Sequence, residues 1–417
     1  MAFGDLINRQ TSQTPNGYAM NVPQILNKTI TLVTPSMHVT RRKSPLACMT
    51  SILHGANATV TSIGRGISSS AGEKHNIKRA DRLLSNSHLY IELSGIYGFM
   101  GRLFTAALST PVIHVDWSDL DEYKRHFLLR ASLAFEGRSI TLYEEVHDIG
   151  TKEKPATHRH FLDVLKSILP PGSTPVIVTD AGFKTPWFNT VLSLGWHFVG
   201  RARKPNFFHI NDENWQCITS LYPAATSCPK TFAGQLCRSS PMDVRFVLYK
   251  QNPKGRHKLN RSGTSCLKGP SQKGAKRNRE PWLLVTSLPD KSHLGKRVVK
   301  IYQTRMQIEE TFRDMKSPRF ALGFSNNLSK DTRRLRILVL LTTLAHLVAT
   351  LVGWTVKRAN KHRRYQANSL KSKDVLSLMF IGLRAIVDKT LKLLPEIWPS
   401  AVDALKLKLA EVNYVPI

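Results

Sequence analysis

The sequence is short of acid. Its 417 residues carry 29 Asp and Glu against 60 Lys and Arg, a formal net charge of +31 and a pI near 10.2. Such a surplus repels itself unless a polyanion neutralises it, so nucleic acid is the leading partner and an anionic membrane surface the competing one. Cysteine is scarce too. Cys48, Cys217, Cys228, Cys237 and Cys266 are odd in number, widely spaced and lack any C-x-x-C. That argues against a disulfide framework or a zinc knuckle and fits a reducing cytoplasm. The start, "MAFGDLINRQTSQTPNG", lacks the charged-then-apolar order of a signal peptide. No internal repeat is present.

One apolar run is long enough to mislead. Ile337 to Val356 has no formal charge over a membrane-spanning length. It contains four threonines and His346, and it is flanked on both sides by cations: Arg333, Arg334 and Arg336 before it, Lys357 and Arg358 after it. An oriented span would carry its cations on one side. The expectation is a buried core helix and no membrane partner.

What is present divides the chain into six stretches. Residues 1–45 read as a loosely ordered extension. Residues 46–108 read as helical; there "KHNIKRADRLL" places Ile77, Ala80 and Leu84 at helical spacing and leaves Lys74, Lys78, Arg79 and Arg82 for other faces. A solvated surface helix gives the same pattern, but the net charge favours a DNA-contacting one. From 109 to 203 the order is three meandering strands ("PVIHVDWSD", "HFLLRASLAF", "SITLYEEV"), helix, strand ("PVIVTDAG"), helix, strand ("WHFVGRAR"). That is a mixed sheet flanked by helices, an α/β class, and the order of a ribonuclease H-like domain. Residues 204–290 interrupt it with short strand-like runs and a basic stretch. Between Lys250 and Arg279 there is no acid, only Lys254, Arg256, Lys258, Arg261, Lys268, Lys273, Lys276 and Arg277; such a run is a solvated loop that can also track phosphates. Residues 291–330 resume the core, and 331–417 are helical and basic.

Asp116 and Asp180 each end a β-branched run, "VIHVD" and "VIVTD". A strand-end Asp is often a turn former, but in open α/β sheets that edge is where ligands sit, and two in one domain point to a metal site. Asp119 lies nearby in a turn without an equivalent partner. A third acid comes from "IYQTRMQIEETFRDMK". Read as one helix, Tyr302, Arg305, Glu309 and Lys316 share an arc of about 60° beside an apolar stripe of Ile301, Ile308, Phe312 and Met315. An acid flanked on one face by two cations and a phenol suits a metal-bound carboxylate with phosphates held above and below it. In-line attack on a phosphodiester needs an activated nucleophile, a stabilised leaving oxygen and neutralised charge, which two Mg²⁺ ions on three carboxylates supply. The expected trio is Asp116, Asp180 and Glu309.

Tyr, two residues, Arg, three, Glu, six, Lys resembles the signature of bacterial insertion-sequence transposases of the cut-and-paste DDE group. "VDWSD", "TDAGFK" and "QIEETFRDMKSP" resemble the branch around the transposase of the tetracycline-resistance transposon, over about Ala47 to Phe380. The resemblance implies a ribonuclease H-like core interrupted by a β-rich insertion and a catalytic triad at Asp116, Asp180 and Glu309. It implies Mg²⁺ as cofactor, two ions replaceable by Mn²⁺, and phosphate contacts from Tyr302, Arg305 and Lys316. It places at Trp282 the tryptophan that stacks on a base flipped out during hairpin formation; a core aromatic opening a strand is the plainer reading there. Met306 stands where some relatives carry an aromatic. The implied partners are double-stranded DNA, as element ends and target, and a second copy of the chain in the paired-end complex, at the bacterial nucleoid. The rivals are a stand-alone ribonuclease H-like nuclease and a catalytically silent, transposase-derived repressor.

Overall fold

In the computed structural model, residues 27, 31, 34, 37–211, 213–251, 264, 269, 280–318, 321–369, 373–391 and 397–415 are described, the side chains of 397–399 excepted. The eight cations of the basic stretch, Lys254 to Arg277, and Cys266 lie outside them, as does most of the expected extension. The chain divides into two units: Met1–Ser173 with Met306–Tyr414, and Thr174–Arg305 with Val415–Ile417.

Among the described residues the first unit opens with four helices, α1 (Val39–Leu53), α2 (Val60–Gly66), α3 (Glu73–Leu84) and α4 (Ser87–Thr105). Since α1 starts at Val39, the expected loose extension ends before residue 45. Thr59 and Asn86 cap α2 and α4 by accepting from the backbone N–H groups of Ser62 and Leu89, as short polar side chains do at helix starts. Three antiparallel strands follow: β1 (Val112–Asp119), β2 (His126–Phe135) and β3 (Arg138–Asp148), in the order β3-β2-β1. The β2–β3 hairpin turns on Glu136 and Gly137, both with positive φ (49° and 81°), the geometry that matches the right-handed twist of its strands. All ten residues of β2 are buried, because helices cover this sheet on both faces. The covering helices are α4, α5 (Pro155–Ile168), α8 (Met306–Lys316), α9 (Thr332–Arg358) and α11 (Ile397–Asn413), and α10 (Leu378–Val387) packs on α9.

The apolar run forms the middle of α9. It passes a length-and-composition test for a membrane span, yet 94% of its most apolar window is buried inside the protein. Its packing on α10 depends on two glycines. A Cβ added to Gly353 would lie 1.8 Å from the Leu378 carbonyl oxygen, and one on Gly382 the same distance from that of Ala349.

The second unit holds β4 (Val176–Val178), α6 (Thr185–Ser193) and β5 (His197–Ala202), a β–α–β step with β4 and β5 parallel. Then come β6 (Phe207–His209), β7 (Gln216–Cys217), β8 (Lys230–Leu236), β9 (Met242–Tyr249), β10 (Trp282–Thr286) and α7 (Leu294–Thr304). Its strands run in the order β4-β5-β10-β9-β8-β6-β7, and every pair after the first is antiparallel. The chain therefore has the expected mixed α/β architecture. Its four described cysteines are free thiols.

An ion pair lies at the centre of the first unit. Arg130 of β2 is 2% exposed; its Nε donates to Glu144 Oε2 on β3 at 2.7 Å. The Tyr97 hydroxyl of α4 (2.7 Å) and the Thr343 hydroxyl of α9 (2.6 Å) donate to the other oxygen of Glu144. Breaking such a pair from one side leaves a buried charge and costs about 3–5 kcal/mol. Arg130→Met alone is expected to lower the free energy of unfolding, extrapolated from urea titrations, by that amount, and the double variant Arg130→Met/Glu144→Leu to recover most of it, with unchanged slopes.

Candidate active site

Directly opposite residues of an antiparallel pair point to the same side of a sheet. Asp116 on β1 pairs in register with Arg130, and Arg130 with Glu144, so these three form one row on one face. Helix α8 is docked on that face. The Arg130 guanidinium lies 4.9 Å from the Phe312 ring centroid and 3.4 Å from Met315 Sδ, and the Ser139 N–H donates to Thr311 Oγ1 at 2.7 Å. Arg138 of β3 grips Asp314 through Nε (2.6 Å) and a terminal nitrogen (3.3 Å). Glu309, half-buried, stands one turn before Phe312 on this anchored helix, and Lys316 seven residues on shares its face. Asp116 is buried, 8% exposed, and its Oδ1 accepts from the Trp117 N–H at 2.8 Å. Burial pulls the Lys316 ammonium below its usual pKa, with Asp119 opposing and Arg130 reinforcing.

The expectation of one helix from Ile301 to Lys316 is corrected. Helix α7 ends at Thr304 and α8 begins at Met306. The Thr304 hydroxyl bonds back to the Ile301 carbonyl at 2.7 Å, and the Arg305 N–H reaches only to Tyr302, at 3.1 Å. A local hydroxyl bond of this kind competes with the helical ladder. Tyr302 and Arg305 thus belong to the second unit, Glu309 and Lys316 to the first.

In the second unit, Asp180 follows the end of β4, and its Oδ1 accepts from the Gly182 N–H at 2.8 Å. A Cβ at Gly182 would come within 2.9 Å of that oxygen, so a side chain there would make the carboxylate shift. Tyr302 is buried, 5% exposed. Burial raises its pKa; the charges of Arg305 and Arg201 oppose the rise, and that of Asp180 adds to it. Arg305 sits 5.7 Å from the Tyr302 ring centroid. Half-buried Trp282 meets Tyr302 edge-on, with centroids 5.0 Å apart at 72°, and Tyr249 at 5.8 Å. Tyr302, Arg305 and Trp282 are therefore close neighbours, and the charge of Asp180 reaches Tyr302. Met306 is 48% exposed at the start of α8.

The four amino-terminal cations differ in their surroundings. Lys74 and Arg82 are exposed; Lys78 pairs with Asp81 at 3.1 Å. Arg79 is half-buried and donates to Ser44 Oγ (3.1 Å) and the Lys43 carbonyl (2.8 Å), holding α3 to α1. Lys78, Arg79 and Arg82 line a groove of about 410 Å³ with Arg41 and His75. Sequence reasoning missed Arg130, Glu144, Arg138 and Asp314. A charge inside the apolar run "HFLLRASLAF" was the one available signal.

Among the described residues no three His, Cys, Asp or Glu form a metal cage. Carboxylates that each give one or two hard oxygens still suit Mg²⁺, which keeps most of its waters. The three-strand meander, the parallel β–α–β step and the antiparallel insertion define a ribonuclease H-like enzyme core. The chain belongs to the DDE transposases: the family model described as the transposase DDE domain matches residues 109–348, more than half its length. No curated protein matches the chain.

Asp314 gives this docking a pH signature. Burial would raise its pKa, but His346 and Arg138 outweigh that and hold it below the ordinary carboxylate value. Its contribution to stability is thus complete above the unfolded pKa and lost as pH falls through the folded one. The gap in thermal unfolding between the wild type and Asp314→Asn is expected to be full at neutral pH and to close below the ordinary carboxylate pKa of about 3.9.

Proposed function

We propose that the protein is the transposase of an insertion sequence, of the branch that resembles the tetracycline-transposon enzyme. It binds the terminal inverted repeats of its element, pairs them as a homodimer, cuts the element out through a hairpin and joins it to target DNA at the nucleoid. The observation that carries this reading is the docking of α8, with Glu309 and Lys316, on the face to which Asp116 points.

Asp116, Asp180 and Glu309 would hold the metal. Two Mg²⁺ ions, or Mn²⁺, bound there would activate the attacking oxygen and take up charge on the leaving one. The chain's own cations do the rest. Arg305 offers a planar fork that matches two phosphate oxygens. Lys316, already desolvated, gains an anion when a phosphate arrives. Tyr302, its pKa raised, keeps its proton at neutral pH and donates it in a hydrogen bond to a phosphate oxygen; it does not serve as a base. Water opens the first phosphodiester and frees a 3′-OH, which attacks the opposite strand to close the hairpin. That bend extrudes a base at a cost of a few kcal/mol, and Trp282 returns about 1–3 kcal/mol by stacking on it.

Alanine at Asp116, Asp180 or Glu309 is expected to abolish nicking and strand transfer alike while end binding persists in Ca²⁺. The losses are non-additive, because the three act as one unit. A Glu309→Ala enzyme that nicks at a near-normal rate would falsify the assignment. Trp282→Ala is expected to spare the first nick, slow hairpin formation, and be partly rescued by an abasic site at the flipped position.

On α3, Lys74→Ala and Arg82→Ala are each expected to lower the salt slope of DNA binding by about one. Arg79→Ala is expected to cost fold stability instead. Unchanged salt dependence in the Lys74/Arg82 double variant would make this face a merely solvated one.

A further inference from the structure

The face of β1–β3 opposite the Asp116 row carries a second row that the proposed chemistry does not use. Trp117 pairs in register with Leu129, and Leu129 with Glu145. Helix α5 packs on this side, with the Phe161 ring 5.1 Å from that of Tyr143. The Trp117 indole Nε1 donates to His158 Nε2 of α5 at 3.3 Å. The same indole meets His147 of β3 edge-on, with centroids 5.4 Å apart at 66°. His147 faces an acid: its Nε2 lies 2.8 Å from Glu145 Oε2, close enough for charge attraction but without hydrogen-bond geometry, and Nε2 of His160, also on α5, approaches the other oxygen of Glu145 to 3.7 Å. The Tyr143 hydroxyl donates to Glu145 as well. Burial, reinforced by His147, depresses the His158 pKa to about 4. Its ring is therefore neutral at physiological pH and able to accept at Nε2.

The location of this clamp gives it a use. Strand β1 is buried from Val112 through Asp116 and half-exposed from Trp117 onward, so its packing weakens at the residue after the carboxylate. The Trp117 N–H is also the group that donates to Asp116 Oδ1. One residue thus holds the carboxylate by its backbone and the far face of the unit by its indole.

We propose that the Trp117–His158 hydrogen bond, buttressed by His147 and Glu145, is a positioning device that fixes the Asp116 carboxylate in its working orientation from the opposite face of the sheet. This rests on the reading of Asp116 as catalytic. Neither Trp117 nor His158 touches the DNA in this arrangement; each acts through the Asp116 backbone. Misplacing a reacting group by about 1 Å can cost on the order of 100-fold in rate, so a single hydrogen bond has leverage here.

The test uses the full-length protein and a double-stranded element-end substrate. Turnover for the first nick, KM for DNA and the half-maximal Mg²⁺ concentration are measured for His158→Leu, His158→Gln, Trp117→Phe and the Trp117→Phe/His158→Leu double variant. His158→Leu and Trp117→Phe are each expected to lower turnover about tenfold or more and to raise the Mg²⁺ requirement, with KM for DNA unchanged. Gln, whose carbonyl oxygen can take the indole proton, is expected to restore turnover to within about threefold. The double variant should be no slower than either single one, because one bond cannot be lost twice. If His158→Leu does not fold, Trp117→Phe, which keeps an aromatic ring and deletes the donor, decides alone. Unchanged turnover in Trp117→Phe overturns the proposal, as does a loss in His158→Leu that follows the folded fraction and is not rescued by Gln. If these variants behave as expected but Asp116→Ala still nicks, it is the catalytic reading of Asp116 that fails.

Discussion

A guanidinium sealed inside a protein must be neutralised where it sits, and the first unit is arranged around that demand. Glu144 answers Arg130 from the neighbouring strand, but a carboxylate left with spare lone pairs would itself be a buried liability. Tyr97 and Thr343 complete it from two different helices. The same guanidinium presents its face to Phe312 and an edge to Met315. Two strands and three helices thus converge on one charge pair, which stands in register beside Asp116. A purely apolar core could supply as much stability. It would not dictate which turn of α8 meets which strand.

That dictation bears on the chemistry assigned to α8. Glu309 and Lys316 sit on the helix that Thr311, Asp314, Phe312 and Met315 anchor at successive turns. Their approach to the sheet is set by groups that take no part in catalysis. The second unit uses a different economy. There the aromatic rings of Tyr249, Trp282 and Tyr302 form a chain of contacts, and the Asp180 carboxylate sits against the space left open at Gly182.

Much of this was legible in the residues. Short apolar runs located β1, β2 and β3 to within a residue or two, because a strand buried on both faces has little choice of composition. The run from Ile337 to Val356 read as a core helix because its threonines and flanking cations fit a protein interior better than a lipid one, and it is buried. The break at Arg305 was not legible. Apolar periodicity runs through it unchanged, and the bond from the Thr304 hydroxyl that ends α7 is a matter of rotamer, not of pattern. Nor was the division of labour among Lys74, Lys78, Arg79 and Arg82, since four cations on one helix look alike until the partners of Arg79, Ser44 and the Lys43 carbonyl, are placed beside it. Arg130 and Glu144 were hidden for a similar reason: a pair is a statement about two strands, and a sequence shows them one at a time.

The pairing of Tyr249 with Trp282 separates two properties that most proteins must trade against each other. The chain leaves β9 and rejoins β10 at directly opposed rungs of one ladder, so the mouth of the intervening segment is fixed by the strands. Once a mouth is fixed, doubling the length of the connection it closes costs only about 0.6 kcal/mol in chain entropy. Changes in length or charge between those two rings therefore need not disturb the rungs that join β9 to β10. Affinity for a polyanion becomes a quantity that drift and selection can adjust in small steps, with little exposure to the stability threshold that constrains substitutions in β2 or α9.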